Sequence, residues 1–355
     1  MEAAARSRPR GPHPHRSGCL RVVILYDGGA SDWTTQDVKS VLDPVNQIAD
    51  LLRAQGHRVA LVPVGHGLKW LERARRADLV VNLCEGIGGI SRYETAVAAT
   101  LELTGVAFTG AGAWTITICH DKPLVNALLQ SAGVPVPRWC VPSAERLPAD
   151  FPLPAIVKPA AEDASVGIDQ GSVVTTRRAM RARVALLASQ YDRVMVQQYI
   201  GGREIAVGIV GSHVLPMSEI DFSQMPPGHW PILSFDAKWT TGCAEDAGSR
   251  PVCPAKLHPA LARRIRAAAV AAWQAVRGYG YGRVDMRVDA TGQAWVLEVN
   301  PDPDISDDAG LSRMAQAAGW SYDDLVLRIA DLALSADRRP VPIEHPDAAL
   351  EARTA

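Results

Sequence analysis

The chain has 355 residues, 47% hydrophobic and 21% charged, the balance of a soluble globular protein with room for two or three cored domains. A net charge of −1 gives no electrostatic case for nucleic acid or a membrane surface, and the apolar runs are too short to span a bilayer. Six cysteines lie scattered without a C-x-x-C pair, which reads as reduced, buried thiols of a cytoplasmic protein and argues against zinc.

Residues 1–20 are rich in Arg, Pro, His and Gly, which excludes a secretory signal and predicts a disordered tail. From Arg21 strands and helices alternate. A strand over 22–26 runs into the turn Asp27-Gly28-Gly29. A helix over 37–55 follows, with Val38, Val41, Val45, Ile48 and Leu52 on one stripe and Gly56 as its stop. Next come a strand over 58–64, a short helix over 67–76, a strand over 78–83, a helix over 93–104 and a strand over 106–109. This alternation predicts a parallel sheet with helices on both faces. The loops around Gly28 and from Cys84 to Gly89 lie at strand C-terminal ends, where open α/β sheets bind ligands. Neither is a G-x-G-x-x-G, so a dinucleotide fold is not supported.

A second unit opens with Asp121-Lys122-Pro123 and a helix over 121–132. A short strand is expected near 136–140 and another over 155–158. The small-residue loop from Pro159 to Ile168, entered from Lys158, can lay backbone N–H groups over phosphates, or can be a plain turn. Strands over 194–198, 203–210 and 212–218 follow. Residues 219–256 read as loop, with Lys238-Trp239 in the middle. A helix over 258–276 precedes two strands joined by Asp289-Ala290-Thr291-Gly292, a hairpin turn. Helices over 308–318 and 321–334 close the fold, and 339–355 reads as a frayed tail.

The last hairpin carries the chemistry. Glu298 and Asn300 lie two apart at a strand end, so they share a face, and Pro301 stops the ladder. Arg283 and Asp285 share a face of the partner strand. A carboxylate beside an amide oxygen suits Mg²⁺, and an adjacent cation suits phosphate chemistry. Taken alone, the four residues also fit the polar outer face of an ordinary hairpin.

In register along the chain stand Phe108-Thr109-Gly110, Asp121-Lys122, Ile156-Val157-Lys158-Pro159, Ser165-Val166-Gly167, Gly202-Arg203-Glu204, Asp236-Ala237-Lys238, Gly282-Arg283-Val284-Asp285 and Glu298-Val299-Asn300. From about Val22 to Leu334 this pattern resembles the ATP-grasp superfamily, and within it the D-alanine–D-alanine ligase group. The resemblance implies an α/β fold, α+β in the ATP-binding part, with three domains and ATP between two antiparallel sheets. The expected boundaries are a tail at 1–20, an N-terminal α/β domain at 21–119, a central ATP-grasp subdomain at 120–200, a C-terminal ATP-grasp and metal-binding domain at 201–338, and a tail at 339–355. It implies Lys122 and Lys158 on phosphates, and a mobile phosphate loop over Glu162, Ser165, Val166 and Gly167. Gln197, Gln198, Tyr199 and Ile200 would frame adenine, and Glu204 would bind ribose. Lys238 would lie near the γ-phosphate, with Arg283, Lys238 and Ser165 serving catalysis. Asp285, Glu298 and Asn300 would ligate two Mg²⁺ ions, with Mn²⁺ as the alternative. The implied reaction is a ligation of a small-molecule carboxylate to an amine, an amino acid or peptide, through an acyl phosphate. No nucleic acid or membrane partner is expected, and a homodimer is left open.

The likeness has departures. In the phosphate loop the family's Ser–Ser pair is Ala164-Ser165, and Trp239 stands where the family has Tyr. Near Gly29 only Asp32-Trp33 is on offer for the family's Glu. A His-Gly becomes Glu85-Gly86, followed by Arg92 and Glu94. After the E-x-N, Asp304 and Ala309 fall where the family has Gly and Ser. The ATP half is thus retained and the substrate half, with Glu85, Arg92, Glu94, Asp302 and Asp304 as candidates, is rewritten. Ser306, Asp307 and Asp308 are expected to cap the helix over 308–318, and Asp304 to face a positively charged amine. A product other than D-Ala-D-Ala follows. A small-molecule phosphotransferase and a non-catalytic nucleotide-binding regulator are the alternatives.

Overall fold

The computed structural model describes residues 18–30, 33–142, 148 and 150–335; the expected tail at 339–355 and all but the last three residues of that at 1–20 lie outside the described residues. Strands β1 (Arg21–Asp27), β2 (Arg58–Val64) and β3 (Leu79–Leu83) pair in parallel, in the order β2-β1-β3. Helices α1 (Thr35–Ala54) and α2 (Leu71–Ala74) connect them, and α3 (Glu94–Thr104) follows. Both faces of β1 are apolar because both are covered. Val22 and Ile24 pack on Val45, Ile48 and Leu52 of α1, while Val23 and Leu25 meet Trp70, Val97, Leu101 and Phe108. Of the expected α1 stripe only Val38 fails, at 42% exposed. The strand expected over 106–109 is reduced to one parallel bridge, Val80 to Phe108, because Gly110 turns the chain away in the left-handed region at φ 87°.

Helices α4 (Ala113–His120) and α5 (Lys122–Ser131) lead out of this unit. Asp121 caps α5 by accepting from Leu124 N–H at 2.9 Å. The run Thr115-Ile116-Thr117-Ile118 has no amphipathic stripe, so α4 is invisible to periodicity and is set by burial against neighbours instead. A four-stranded antiparallel sheet follows in the order β4 (Trp139–Cys140), β7 (Val194–Gln198), β5 (Ala155–Pro159), β6 (Val173–Val174). Its core of Phe151, Val157, Met180, Leu187 and Val196 is covered by α6 (Arg177–Ala188), a helix the sequence reading lacked.

The third sheet runs β11 (Arg250–Val252), β10 (Ser218–Asp221), β8 (Arg203–Val210), β12 (Tyr281–Val288), β13 (Ala294–Asn300), with β9 (His213–Val214) also on β8. The single strand expected over 212–218 is split into β9 and β10, because Pro216 between them has no N–H for the ladder. Residues 219–256 are not all loop: they hold α7 (Phe235–Trp239), α8 (Ala244–Ala247) and the edge strand β11. Helix α9 (Pro259–Ala275) packs Ile265, Ala269 and Trp273 on the sheet. Gly208 lets α10 (Gly310–Ala317) come down on β8, since a Cβ there would lie 2.7 Å from Leu311. Leu311 and Met314 of α10 and Ile329 of α11 (Tyr322–Leu334) join the core shared with Val22 and Ile24, so the closing helices tie the third sheet to the first. Of the six cysteines, all free, only Cys84 and Cys119 are buried.

Candidate active site

Strands β12 and β13 pair with Arg283 opposite Asn300 and Asp285 opposite Glu298, so the four expected residues share one sheet face. The register then slips by one after Asp285, which pairs Met286 with Val296 and leaves Leu297 as a bulge that tips the strand end. Arg283 grips Asp285 with both a 2.8 Å Nε–Oδ1 and a 2.8 Å Nη2–Oδ2 bond. Burial alone would lower the Arg283 pKa; Asp285, then Glu298 and Glu204, outweigh it and raise it. Asn300 donates its amide to Asp285 Oδ2 at 2.8 Å, which turns its own oxygen free for a cation. These hard oxygen donors fit a divalent ion such as Mg²⁺. Among the described residues no cluster of three or more His, Cys, Asp or Glu stands ready to hold a metal by itself.

Glu298 is paired with one lysine and lies in the field of two more. Lys122, 5% exposed, lies 3.0 Å from Glu298 Oε1 and 2.9 Å from Asp163 Oδ1, and donates to the Glu162 carbonyl. Burial pushes the Glu298 carboxyl up, and the charges of Lys122, Lys158 and Lys238 override this and hold it below the usual carboxylate range. Lys158 is buried at the end of β5 and drops to about 8, chiefly through burial and against the pull of Glu298. Lys238 is exposed on α7. The loop from Glu162 to Gly167 packs close: Gly167 (φ 74°) would clash with Pro159 if it carried a Cβ, at 2.6 Å. Ser165 turns its hydroxyl onto Leu233 O at 2.8 Å, so in this structure it offers the cleft backbone and not its side chain. Trp239 donates its indole N–H to Ala164 O at 3.0 Å, a latch from α7 to the loop. Val166 N–H closes the turn on Asp163 O.

Gln197 is 1% exposed, on the same face of its sheet as Lys158, and its Nε2 is buried without a partner. Such a donor fits a ligand acceptor. Gln198 N–H and Tyr199 N–H are bonded to Arg138 O and Pro154 O, and Ile200 is buried. Glu204 is paired at 2.6 Å with Arg287, a residue that sequence reasoning passed over.

The substrate candidates are divided. Glu85 is exposed, and its carboxyl is pushed up from the usual carboxylate range, first by partial enclosure, then by Glu94, Asp304, Asp163 and Asp27. Glu94 is taken by His120, Nε2 to Oε2 at 2.9 Å, a partner the sequence reading missed. Arg92 is exposed and stacks on Tyr93. Asp302 and Asp304 both hold the backbone near the cleft through one oxygen, and Asp304 is exposed. Asp302 Oδ1 accepts Ala111 N–H at 2.8 Å and pins the Gly110 turn, while Asp304 Oδ1 accepts both the N–H (2.8 Å) and hydroxyl (2.6 Å) of Ser306. Ser306, Asp307 and Asp308 do not cap α10 as expected: its N-cap is Ala309, with no side-chain cap, and Asp307 instead accepts from Gln47 on α1. Asp27 was unflagged. Its carboxylate accepts from Gly29, Gly88 and Gly89 N–H at 2.9, 2.9 and 3.0 Å and staples both glycine loops. A strand-end Asp before Gly-Gly was the available signal. Asp32 lies outside the described residues.

Two antiparallel sheets face one cleft, with buried lysines on one side and an acid–amide pair on the other: this is the architecture of an ATP-grasp enzyme. The family model described as "D-ala D-ala ligase C-terminus" matches residues 128–331. A D-alanine–D-alanine ligase of Synechococcus sp. (strain JA-2-3B'a(2-13)) is 31% identical over 329 residues, 89% of this chain and 93% of that protein. The uncharacterized protein y4sG of Sinorhizobium fredii (strain NBRC 101917 / NGR234) is 33% identical over 307 residues, 82% and 88% of the two chains. Among solved structures, D-alanine–D-alanine ligase from Bacillus anthracis complexed with ATP matches with a TM-score of 0.71 at 22% identity, over 89% of this chain and 98% of that one. VanG D-Ala:D-Ser ligase from Enterococcus faecalis gives 0.69 at 20% identity, over 88% and 99%. This chain belongs to the D-alanine–D-alanine ligase family, and as a member it is an ATP-dependent carboxylate–amine ligase. No helix among the described residues is long and apolar enough to cross a membrane.

Proposed function

We propose that the chain joins a small-molecule carboxylate to an amine through an acyl phosphate, and that its substrates are not two D-alanines. The observation that carries the ligase chemistry is the pairing of buried Lys122 with Glu298, within the field of Lys158 and Lys238 and beside the Arg283–Asp285 pair. A carboxylate oxygen attacks the γ-phosphorus of ATP, and the bond to ADP breaks. The amine lone pair then attacks the acyl carbon, the amine loses a proton, and phosphate leaves. Lys122, Lys158, Lys238 and Arg283 neutralise the charge that moves with the phosphoryl group. The loop of Glu162, Ser165, Val166 and Gly167 covers the phosphates and excludes water that would hydrolyse the intermediate. Gln197 to Ile200 frame the base and Glu204 the ribose. Asp285, Glu298 and Asn300 would hold one or two Mg²⁺ or Mn²⁺ ions, which supply further charge neutralisation when bound. A net charge of −1 supports small-molecule partners over nucleic acid.

The change of substrate is supported by Glu85 in the substrate half and by Ala164 and Trp239 at the latch of the phosphate loop, each of which departs from the ligase pattern. The test is a phosphate-release screen over amino acids, basic amino acids and diamines, with mass spectrometry of the products and hydroxylamine as trap. Amine-dependent phosphate release and a hydroxamate are expected. D-alanyl-D-alanine made from D-alanine alone would overturn the substrate reading. Transfer of ³²P from γ-labelled ATP to a stable product without an amine would replace the ligase by a phosphotransferase.

A further inference from the structure

We infer that Arg287 is a positioning residue of the nucleotide pocket, one that aims Glu204 at the ribose and draws the segment around Phe222 and Pro231 against Tyr199. This rests on the ATP site proposed above. Arg287 lies four residues after Arg283 on β12 and directly opposite Glu204 on β8, so it shares the site face of the sheet. It is 3% exposed. Its Nη2 lies 2.6 Å from Glu204 Oε2 and donates to Pro231 O, and its Nη1 donates to Gly202 O at 3.2 Å. Its guanidinium stands 5.7 Å from the Tyr199 ring centroid and 5.2 Å from that of Phe222. Tyr199 in turn meets Trp230 edge-on at 5.2 Å. One buried cation therefore touches the strand, the turn before it, the adenine-framing segment and the 222–231 segment.

Stability alone does not account for it. A buried ion pair gains little over an apolar side chain of similar size, because two charges lose their water. Geometry does account for it. The planar fork, held on the Gly202 and Pro231 carbonyls, sets one nitrogen against Glu204 Oε2 and so fixes where the carboxylate lies, and a carboxylate has acceptor capacity beyond that one contact, which a ribose hydroxyl can use. Glu204 also acts on Lys158 and Arg283 through its charge, so its orientation belongs to the field of the cleft.

Calorimetry on the full chain with Mg²⁺, using ATP, 2′-deoxy-ATP and inorganic tripolyphosphate, separates this from a purely structural role, because tripolyphosphate has no base or ribose. Arg287→Gln is expected to weaken ATP binding by about tenfold or more, the loss of charge-assisted bonds. It should leave tripolyphosphate affinity unchanged and shrink the preference for ATP over 2′-deoxy-ATP. Arg287→Lys, which keeps the charge and loses the fork, should fall between; if Arg287→Gln does not fold, this variant decides alone. Equal loss for ATP and tripolyphosphate, or unchanged ATP affinity in the folded variants, would overturn the inference. Wild-type protein that binds ATP no better than tripolyphosphate would overturn the ATP-site reading, and the inference with it.

Discussion

Asn300 shows how much one amide can be fixed by its neighbours. Its nitrogen is spent on Asp285 Oδ2 and its backbone sits opposite Arg283, so the side-chain oxygen is presented beside two carboxylates with little freedom. Removing it takes away the oxygen proposed to face the metal and also frees Asp285 Oδ2. Asn300→Ala should lower ATP-dependent phosphate release by at least ~10²-fold, the scale for loss of a preorganised transition-state stabiliser. Its circular dichroism and melting temperature should stay near wild type, since Asn300 is only half-buried at a strand end. Near-normal release at unchanged Mg²⁺ would remove Asn300 from the site. Asn300 was legible because its companions lie within one hairpin. His120 and Arg287 were not, because what they hold, Glu94 and Glu204, lies 26 and 83 residues away in sequence and is found only once the chain folds. The turn that Asp304 makes with Ser306 was hidden for the opposite reason: its hydroxyl partner is two residues on, a local turn signal that the proline-rich context masked.

At the scale of elements, β12 is placed by one ring. Trp273 of α9, 3% exposed, lies over Gly278 and Gly282; a Cβ on Gly282 would come within 2.3 Å of its Cη2 and Cζ3 atoms. Gly282 immediately precedes Arg283, so the contact that seats the helix also sets the height of the site residues. Gly282→Ala should cost about 1–3 kcal/mol by overpacking, read as a lower melting temperature. Phosphate release should fall in the folded fraction as well. Trp273→Phe in the same chain should restore part of the loss, because the two substitutions touch one space. An unchanged melting temperature in Gly282→Ala would show that α9 gives way without cost. The strand pair itself was readable from period 2 and a turn of Asp289 to Gly292. The bulge at Leu297 was not, since an extra residue in a strand leaves the apolar run looking continuous. Helix α6, with four arginines in a short amphipathic stretch, reads locally as a solvated charge run; only Met180 and Leu187 bury.

On the scale of the whole molecule, a line of charge runs from α3 through α4, the 162–167 loop and α5 to β13. Glu94 at the start of α3 meets His120 at the end of α4 at 2.9 Å. His120 lies 3.9 Å from Asp163 in the phosphate loop; Asp163 meets Lys122 at 2.9 Å, and Lys122 meets Glu298 on β13 at 3.0 Å. Burial by itself would lower the His120 pKa; the hydrogen bond and charge of Glu94, then Asp163, outweigh both burial and Lys122, so it is raised. A histidine raised in the folded state binds its proton more tightly there than in the unfolded chain. Its stabilisation is therefore fully present below the unfolded value of about 6.5 and is lost as pH rises through the higher folded value. His120→Gln removes the charge and keeps a donor. The melting temperature of wild type minus that of the variant should be largest near pH ~6 and shrink steadily toward pH ~9. A difference that is flat across this range would mean that His120 is held neutral, and that the line from Glu94 to Glu298 is broken at its second member.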